Sequence, residues 1–403
     1  MHDLGRKPRI LWITRSCLLD RSSGAAISAR QMLRQLSDRG CDIRTISATI
    51  FDSEGGRERF EENLKGIDSL PAYMQVLDGE ITHEVILTNS YRKESMRFEE
   101  LEALCAKYEK ALKEFKPDIV WLFGGKYFDR MIAKRAKDEG ALTAFYLVNS
   151  NYNGHGWYQN IDLVITDSHA TSNLYKKRLG IEAKPVGTFI IKNEYLANEY
   201  SKKYVTFVNP TPSKGGLIVA QIALEMERRR PDILFEIVES RGKWIHALKP
   251  VSTALGEERS ELKNVRVTPT TQDMRPIYGR SRVVLMPSLG WESGGRVISE
   301  AAVNGIPSIV TNRGGPAEAV GSGGIKINFP EQLFEPPFTK LLPKAGLEAI
   351  VTRIEKIFDD EEFYNQLVNG IRSHAMETLD IEKNTDFLLS IFEDALKSRE
   401  LTS

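Results

Sequence analysis

The chain has 403 residues, a length typical of two or three domains that can each bury a hydrophobic core. Hydrophobic residues make up 41% and charged residues 27%, proportions that exclude a largely disordered, collagen-like or membrane-spanning chain. Lysine plus arginine equals aspartate plus glutamate at 55 each, so no overall charge attracts nucleic acid or anionic lipid.

Alternating strands and helices are predicted for the first half of the chain. An apolar run at 9–13 predicts a strand, an amphipathic pattern at 25–39 predicts a helix that Gly40 ends, and 41–50 predicts a second strand. The pattern continues with strands at 83–87, 119–123, 141–148 and 163–166. Helices are predicted at 97–115, from the Gly124-Gly125 pair to Lys137, and at 170–179. Such alternation predicts a mostly parallel sheet covered by helices on both faces.

The pattern restarts after a polar segment at 192–203, which we interpret as a linker. A strand at 204–208, a helix at 217–230 and a strand at 234–238 open a second α/β half. Later strands are predicted at 265–267, 283–286, 308–310 and 324–327, followed by helices at 346–358, 361–377 and 381–399. Two α/β halves of similar size are therefore expected.

The stretch 286–301 has the pattern of a ligand site. A buried strand ends there, a loop carries Glu292, and small residues at 293–295 open a helix. Backbone N–H groups at such a helix start face the positive end of the helix dipole and suit a phosphate. Glu292 and Glu300 lie up to about 12 Å apart along a helix axis, so one carboxylate can bind a sugar and the other a ribose.

These residues resemble the signature of the retaining glycosyltransferases of family 4, which have the GT-B fold. The matching elements are Pro287-Ser288, Glu292, Gly294-Gly295, Arg296-Val297, Glu300, Gly305-Ile306-Pro307 and Gly314-Gly315-Pro316-Ala317-Glu318. By this resemblance Glu292 binds hydroxyls of the donor sugar and Glu300 binds the ribose. The resemblance also implies phosphate contacts from the backbone of Ser293, Gly294, Gly295, Arg296 and Val297.

A second matching segment, 209–216, follows the first strand of the second half. The family usually has a Gly-Arg pair at this strand end and a Lys-Gly soon after, and the two cations neutralise the leaving diphosphate. Lys214 is present, but Asn209 and Pro210 occupy the place of the pair. Charge neutralisation would then depend on Lys214, the helix dipole and Arg241 or Arg296. Thr270, Thr271 and Arg241 are further candidate contacts for the nucleotide.

The first half has weaker matches to the same family. Gly24 lies where the family has a Gly-Gly loop near the donor phosphates. Asn149 stands where many relatives have a histidine that contacts the donor sugar, and His155 is a possible substitute. Loops at 52–70 and 149–160 are expected to contact the acceptor.

Several other ligand classes are excluded by their missing motifs. No G-x-G-x-x-G follows a first strand, and no P-loop, Asp-x-Asp or His/Cys cluster with ligand spacing is present. We therefore expect catalysis without a metal ion or cofactor.

Cysteine content bears on the cellular compartment. Cys17, Cys41 and Cys105 are widely spaced and odd in number, which favours a reducing cytoplasm over a disulfide framework. The N-terminal residues lack an apolar signal region, and no apolar run is long enough for a membrane span. Basic groups at 176–178 and 228–230 leave weak peripheral contact with a membrane open.

Together with the two α/β halves, the resemblance implies a GT-B enzyme with two Rossmann-like domains facing across a cleft. Residues 1–190 would form the acceptor domain, 200–384 the donor-nucleotide domain, and 385–403 a helix that returns to the first. The expected reaction moves a hexose from a nucleoside diphosphate sugar to an unidentified acceptor hydroxyl with retention of configuration. The alternative is a catalytically impaired nucleotide-sugar-binding protein that acts through a partner; the oligomeric state is not predicted.

Overall fold

The computed structural model describes residues 6–60, 62, 65 and 71–400. They form two compact units, of which the first runs to Phe189 and resumes at Ile381, and the second runs from Ile190 to Asp380. The acceptor loop predicted at 52–70 lies partly outside the described residues.

The first unit is built on an eight-stranded sheet. Its strands are β1 (Arg9–Ile13), β2 (Asp42–Ala48), β3 (Ala72–Asp78), β4 (Ile81–Leu87), β5 (Ile119–Leu122), β6 (Leu142–Leu147), β7 (Leu163–Thr166) and β8 (Lys184–Pro185). They lie in the order β3-β4-β2-β1-β5-β6-β7-β8, and only β3 pairs antiparallel with its neighbour. The loops that follow β1, β4, β5 and β6 therefore lie at the same edge of the sheet.

Helices cover both faces of this sheet. They are α1 (Gly24–Asp38), α2 (Phe98–Glu114), α3 (Tyr127–Asp138) and α4 (His169–Leu179). Ser168 caps the start of α4 by accepting a hydrogen bond from the Thr171 N–H, and Gly180 ends it with a φ of 68°.

The second unit contains a six-stranded, wholly parallel sheet. Its strands are β9 (Tyr204–Val208), β10 (Leu234–Val238), β11 (Val265–Thr268), β12 (Ser281–Met286), β13 (Ser308–Thr311) and β14 (Gly324–Ile327), in the order β11-β10-β9-β12-β13-β14. Its helices are α5 (Gly216–Arg229), α6 (Trp244–Ala254), α7 (Arg275–Arg280), α8 (Arg296–Val303), α9 (Gly315–Ala319), α10 (Lys344–Asp359) and α11 (Glu361–Thr378).

The last helix, α12 (Ile381–Glu400), belongs to the first unit. Its Phe392 is fully buried and packs edge-to-face on Trp121 at a centroid distance of 5.2 Å. Ion pairs join α12 to the unit as well: Lys7 binds Glu393 and Arg39 binds Asp386, at 2.7 and 2.8 Å. The predicted return of the C-terminal helix is confirmed.

The predicted α/β class is confirmed for both units, and most strands lie within two residues of their predicted positions. Two strands were missed, the two-residue β8 and β3, which pairs with β4 through a turn at Gly79, whose φ is 61°. The Asp78-Gly79 dipeptide is a hairpin signal that could have identified β3. The segment at 192–203, interpreted as a linker, packs on the second unit, where the Ala197 N–H donates to Asn304 at 2.9 Å.

No helix in the described part of the chain is long and apolar enough to cross a membrane. The basic group at 228–230 is neutralised within the second unit, because Arg228 pairs with Glu257, Arg229 with Glu348 and Arg230 with Asp359. This pairing weakens the case for membrane contact at that group.

Candidate functional site

The loop after β9 is shaped by tight backbone contacts. Asn209 has a φ of 65°, the left-handed conformation that glycine usually provides, and its side chain accepts a hydrogen bond from the Gly242 N–H at 3.0 Å. A Cβ on Gly215 would lie 2.2 Å from the Pro287 carbonyl oxygen. The loop therefore lies against the ends of the two neighbouring strands, β10 and β12. Pro210, which with Asn209 stands in the place of the family's Gly-Arg pair, adds no charge to the loop.

The loop after β12 is attached to this first loop by its backbone. The N–H groups of Leu289 and Gly290 both donate to the Ser213 carbonyl, at 2.9 and 2.8 Å. This attachment brings Lys214 Nζ to 2.5 Å from Glu292 Oε1, with side chains 22% and 19% exposed. Glu292 and Lys214, predicted to bind the donor sugar and to neutralise the diphosphate, thus form an ion pair that solvent can still reach.

Two glycines after β13 hold the backbone of Glu292 in place. The Gly315 N–H donates to the Glu292 carbonyl at 2.9 Å. A Cβ on Gly314 would lie 2.6 Å from that same oxygen, and one on Gly315 would lie 1.6 Å from the Ser293 carbonyl oxygen. Any larger residue would push the Glu292 loop away, which explains the Gly-Gly pair of the motif.

The glycine turn leads into helix α8, which begins at Arg296. Gly295 precedes the helix with a φ of 64°, and Ser293 is buried. The first backbone N–H groups of a helix have no partner within it, and the helix dipole is positive there. Gly294, Gly295 and the start of α8 therefore offer a short row of donors beside Glu292.

Glu300 lies one turn further along α8, in a buried polar network. Its carboxylate binds Arg296 Nε at 2.8 Å and accepts a hydrogen bond from the Tyr278 hydroxyl at 2.6 Å. Arg296 also donates to the Tyr195 hydroxyl at 2.7 Å. Burial raises the pKa of Glu300, an effect that Arg296 and Tyr278 oppose.

Arg296, a candidate for neutralising the diphosphate, lies in this network, where its guanidinium binds Glu300 and Tyr195. Tyr195 and Tyr278 were not identified from the sequence, because nothing in their local pattern links them to a glutamate on α8.

The remaining candidates of the second unit follow two adjacent strands. Arg241 is exposed and lies in the loop after β10, beside the Gly242 that Asn209 holds. Thr270 and Thr271 follow β11, where Thr270 is exposed and the Thr271 hydroxyl accepts from the Asp273 N–H at 3.2 Å. All these loops lie at the carboxyl edge of the sheet, the edge that holds Lys214 and Glu292.

The candidates of the first unit also lie at or near a carboxyl edge. Gly24 is the first residue of α1, and a Cβ added there would meet no atom within 4 Å. The Asn149 side chain accepts from the Asn151 N–H at 2.9 Å, and the exposed His155 ring lies 2.9 Å from the Leu179 carbonyl oxygen. The hydrogen bond that the Asn149 side chain accepts gives the start of the 149–160 loop a local turn.

The family comparison matches part of the second unit. Residues 217–336 match the family model of the glycosyl transferases group 1. The match includes Glu292, the glycine turn and Glu300, and it starts just after Lys214. No curated protein matches the chain.

Solved structures share the whole fold. The chain is similar to HepE of Anabaena, solved with UDP and glucose, at 16% identity and a TM-score of 0.67, covering 96% of this chain and 100% of that chain. A glycosyltransferase of Rickettsia africae matches at 16% identity and a TM-score of 0.69, covering 97% and 99%. Sucrose-phosphate synthase of Thermosynechococcus elongatus matches at 12% identity and a TM-score of 0.70, covering 98% and 100%. The fold is that of the GT-B glycosyltransferases.

Proposed function

We propose that the protein is a retaining hexosyltransferase, a proposal supported by the match of residues 217–336 to the group 1 glycosyl transferases and by the fold. It transfers a hexose from a nucleoside diphosphate sugar to a hydroxyl group of an acceptor. The observation that carries this proposal is the Lys214–Glu292 pair, held at 2.5 Å beside the glycine turn and the start of α8.

Each part of this site suits one part of the donor. Glu292 accepts hydrogen bonds from hydroxyls of the hexose, and Lys214 together with the N–H groups of 293–297 binds the diphosphate. Glu300 accepts hydrogen bonds from the ribose after exchanging one of its present partners. Arg241, Thr270 and Thr271, at the same sheet edge, bind the nucleotide further out.

The reaction needs charge stabilisation above all. As the bond between the anomeric carbon and the phosphate oxygen breaks, negative charge grows on the diphosphate, where Lys214 and the dipole of α8 stabilise it. The acceptor oxygen forms its bond to the same face of the sugar. Its proton passes to the leaving phosphate, so the products are the glycoside and the protonated nucleoside diphosphate.

Lys214 and α8 take the place of a metal ion in this scheme. We further propose that Gly24 lies near the donor phosphates and that Asn149 and His155 contact the sugar or the acceptor. Among the described residues no group of three acidic, histidine or cysteine side chains is arranged for a metal. The three widely spaced cysteines, Cys17, Cys41 and Cys105, support our proposal of a cytoplasmic location.

The test is a transfer and hydrolysis assay over UDP-, GDP- and ADP-hexoses. UDP-glucose is the first donor to try, because a HepE structure contains it. We expect slow donor hydrolysis, transfer once an acceptor is supplied, and a product with the anomeric configuration of the donor by proton NMR. Glu292→Ala should abolish both activities, whereas Glu335→Ala, at an exposed glutamate of the same unit, should leave them unchanged.

Two results would overturn the proposal. Inversion at the anomeric carbon would exclude the retaining mechanism. Nucleotide-sugar binding without hydrolysis or transfer would indicate a binding protein instead of an enzyme.

A further inference from the structure

A cluster of three cationic side chains lies at the carboxyl edge of the first unit's sheet. Arg15 follows β1, Lys93 follows β4 and Lys126 follows β5, and these strands are parallel. The buried Asp129, in the first turn of α3, lies among them. We call Arg15, Lys93 and Lys126 the cation cluster.

Arg15 has hydrogen-bonding capacity that the described residues do not use. Its side chain is 14% exposed, and its Nε and Nη2 are buried without a hydrogen-bond partner. Its nearest acidic atom is Asp129 Oδ2 at 3.6 Å, and its guanidinium lies 5.3 Å from the centroid of the Phe128 ring. A buried guanidinium with unused donors requires an explanation, such as an anion that binds there.

Asp129 lies too far from Arg15 for a hydrogen bond, since 3.6 Å separates Arg15 Nη2 from Asp129 Oδ2. Its Oδ2 already accepts a hydrogen bond from the Lys126 N–H at 2.8 Å, which caps the start of α3. A Cβ on Gly124 would lie 2.5 Å from the same oxygen, so the carboxylate is held in place by the preceding turn. The position of Asp129 is therefore fixed by the helix start and not by Arg15.

Electrostatics places Lys93 in the same cluster. Burial lowers the pKa of Lys93, and the charges of Arg15 and Lys126 lower it further. Asp129 and the exposed Glu94 act in the opposite direction without restoring the usual value. The lowered pKa of Lys93 therefore reflects its burial first, and Arg15 and Lys126 lie near enough to add to that effect.

We propose that the cation cluster binds a phosphate group carried by the acceptor substrate. Asp129 balances the charge of Arg15, and the two lysines match a phosphate monoester, which carries about −1.5 to −2 charges at pH 7. The planar guanidinium of Arg15 has the fork of donors that binds a phosphate in bidentate fashion, and its Nε and Nη2 have no hydrogen-bond partner among the described residues. This inference rests on the proposed function, because it assigns a substrate class to an enzyme with an acceptor.

The phosphate can come from a soluble sugar phosphate or from a lipid headgroup. Calorimetry with the full chain separates these sources with three probes: inorganic phosphate, glucose 6-phosphate, and vesicles of phosphatidic acid in phosphatidylcholine. Glucose and pure phosphatidylcholine vesicles are the neutral counterparts. Saturating UDP is present throughout, so that the proposed donor site is occupied.

The variants are Arg15→Met and Lys93→Met, with Lys110→Met as the control at an exposed lysine of the same unit. We expect the wild type to bind inorganic phosphate and glucose 6-phosphate, and each cluster variant to lose at least tenfold in affinity. Lys110→Met should bind as the wild type does. Loss of vesicle binding alone in the cluster variants would assign the phosphate to a lipid headgroup and still support the site.

The proposal is overturned if both variants keep their melting temperature and bind every phosphate probe within twofold of the wild type. It is also overturned if the neutral probes bind as tightly as the phosphorylated ones. Failure of the proposed function has a different signature: UDP would then not bind to the wild type, while the comparison of variants with inorganic phosphate would still report on the cluster.

Discussion

Lys214 Nζ lies 2.5 Å from Glu292 Oε1, although the two residues come from loops that follow different strands. The distance is set by backbone contacts, since the Ser213 carbonyl accepts from the loop that carries Glu292. Cation and carboxylate therefore keep each other in position while part of each side chain remains exposed. When a nucleotide sugar binds here, Glu292 is already in position to accept hydrogen bonds from the sugar hydroxyls. Lys214 is already in position to neutralise the phosphate charge.

Removal of the lysine charge should slow the reaction. Lys214→Met is expected to lower kcat about 100-fold, roughly 2.7 kcal/mol, because one cation near the leaving diphosphate is lost. The measurement is steady-state donor hydrolysis with UDP-glucose. Lys340→Met, at an exposed lysine of the same unit, is the control and should match the wild type. Equal kcat values for Lys214→Met and the control would remove Lys214 from the mechanism.

The hydroxyl of Tyr278 should matter for nucleotide binding through Glu300. Tyr278→Phe deletes the 2.6 Å hydrogen bond to the carboxylate, and we expect a several-fold weaker Kd for UDP by calorimetry. Glu300→Gln should weaken UDP binding further. Tyr364→Phe is a matched control, because the Tyr364 hydroxyl is buried in the same unit without a hydrogen-bond partner among the described residues. Unchanged UDP affinity in Tyr278→Phe would show that Glu300 needs no such support.

The glycine pair after β13 should tolerate no side chain. In Gly315→Ala the new Cβ would lie 1.6 Å from the Ser293 carbonyl oxygen, so the Glu292 loop must move. We expect donor hydrolysis to fall at least tenfold and the melting temperature to drop. Gly346→Ala places its Cβ at an ordinary 3.5 Å from Leu342 inside α10, and it should leave activity unchanged. Full activity in Gly315→Ala would contradict this role of the turn.

The stability of the first unit should depend on pH through Asp78. Burial acts to raise the pKa of Asp78, but Arg30, bound at 2.6 Å, and His83 outweigh it and hold the pKa well below its usual range. The folded state therefore favours the ionised carboxylate, and this stabilisation is present above the unfolded pKa of about 3.9 and is lost as pH falls below it. Urea unfolding between pH 5 and pH 3 measures the loss.

The matched variants make this test specific. Asp78→Asn should flatten the fall in unfolding free energy at acid pH, whereas Asp138→Asn, at an exposed ion pair of α3, should retain it. An identical pH profile for Asp78→Asn and the wild type would contradict the role of this carboxylate.

Strand and helix positions could be predicted because buried parallel strands are short apolar runs between helical patterns. The strand at 204–208 and the strand at 324–327 were predicted at their observed bounds. The edge strand β3 was missed because its residues alternate between half-buried and exposed, and its signal lay in the Asp78-Gly79 turn. The apolar pattern is weak in an edge strand, because such a strand pairs with one neighbouring strand only.

The site was predictable where its chemistry lies in one stretch of sequence. Glu292, the glycine turn and Glu300 fall within nine residues of a recognisable motif. The Lys214–Glu292 contact, the Tyr278–Glu300 bond and the cation cluster each join distant segments. The sequence alone does not reveal such partners, because only the folded sheet brings these distant segments together.

A crystal structure of the protein with bound UDP-glucose tests the central claim most directly. The account predicts the diphosphate against the backbone N–H groups of 293–297 with Lys214 beside it, the hexose hydroxyls on Glu292 and the ribose on Glu300. A diphosphate bound away from the turn before α8, with Lys214 and Glu292 still paired only to each other, would contradict it.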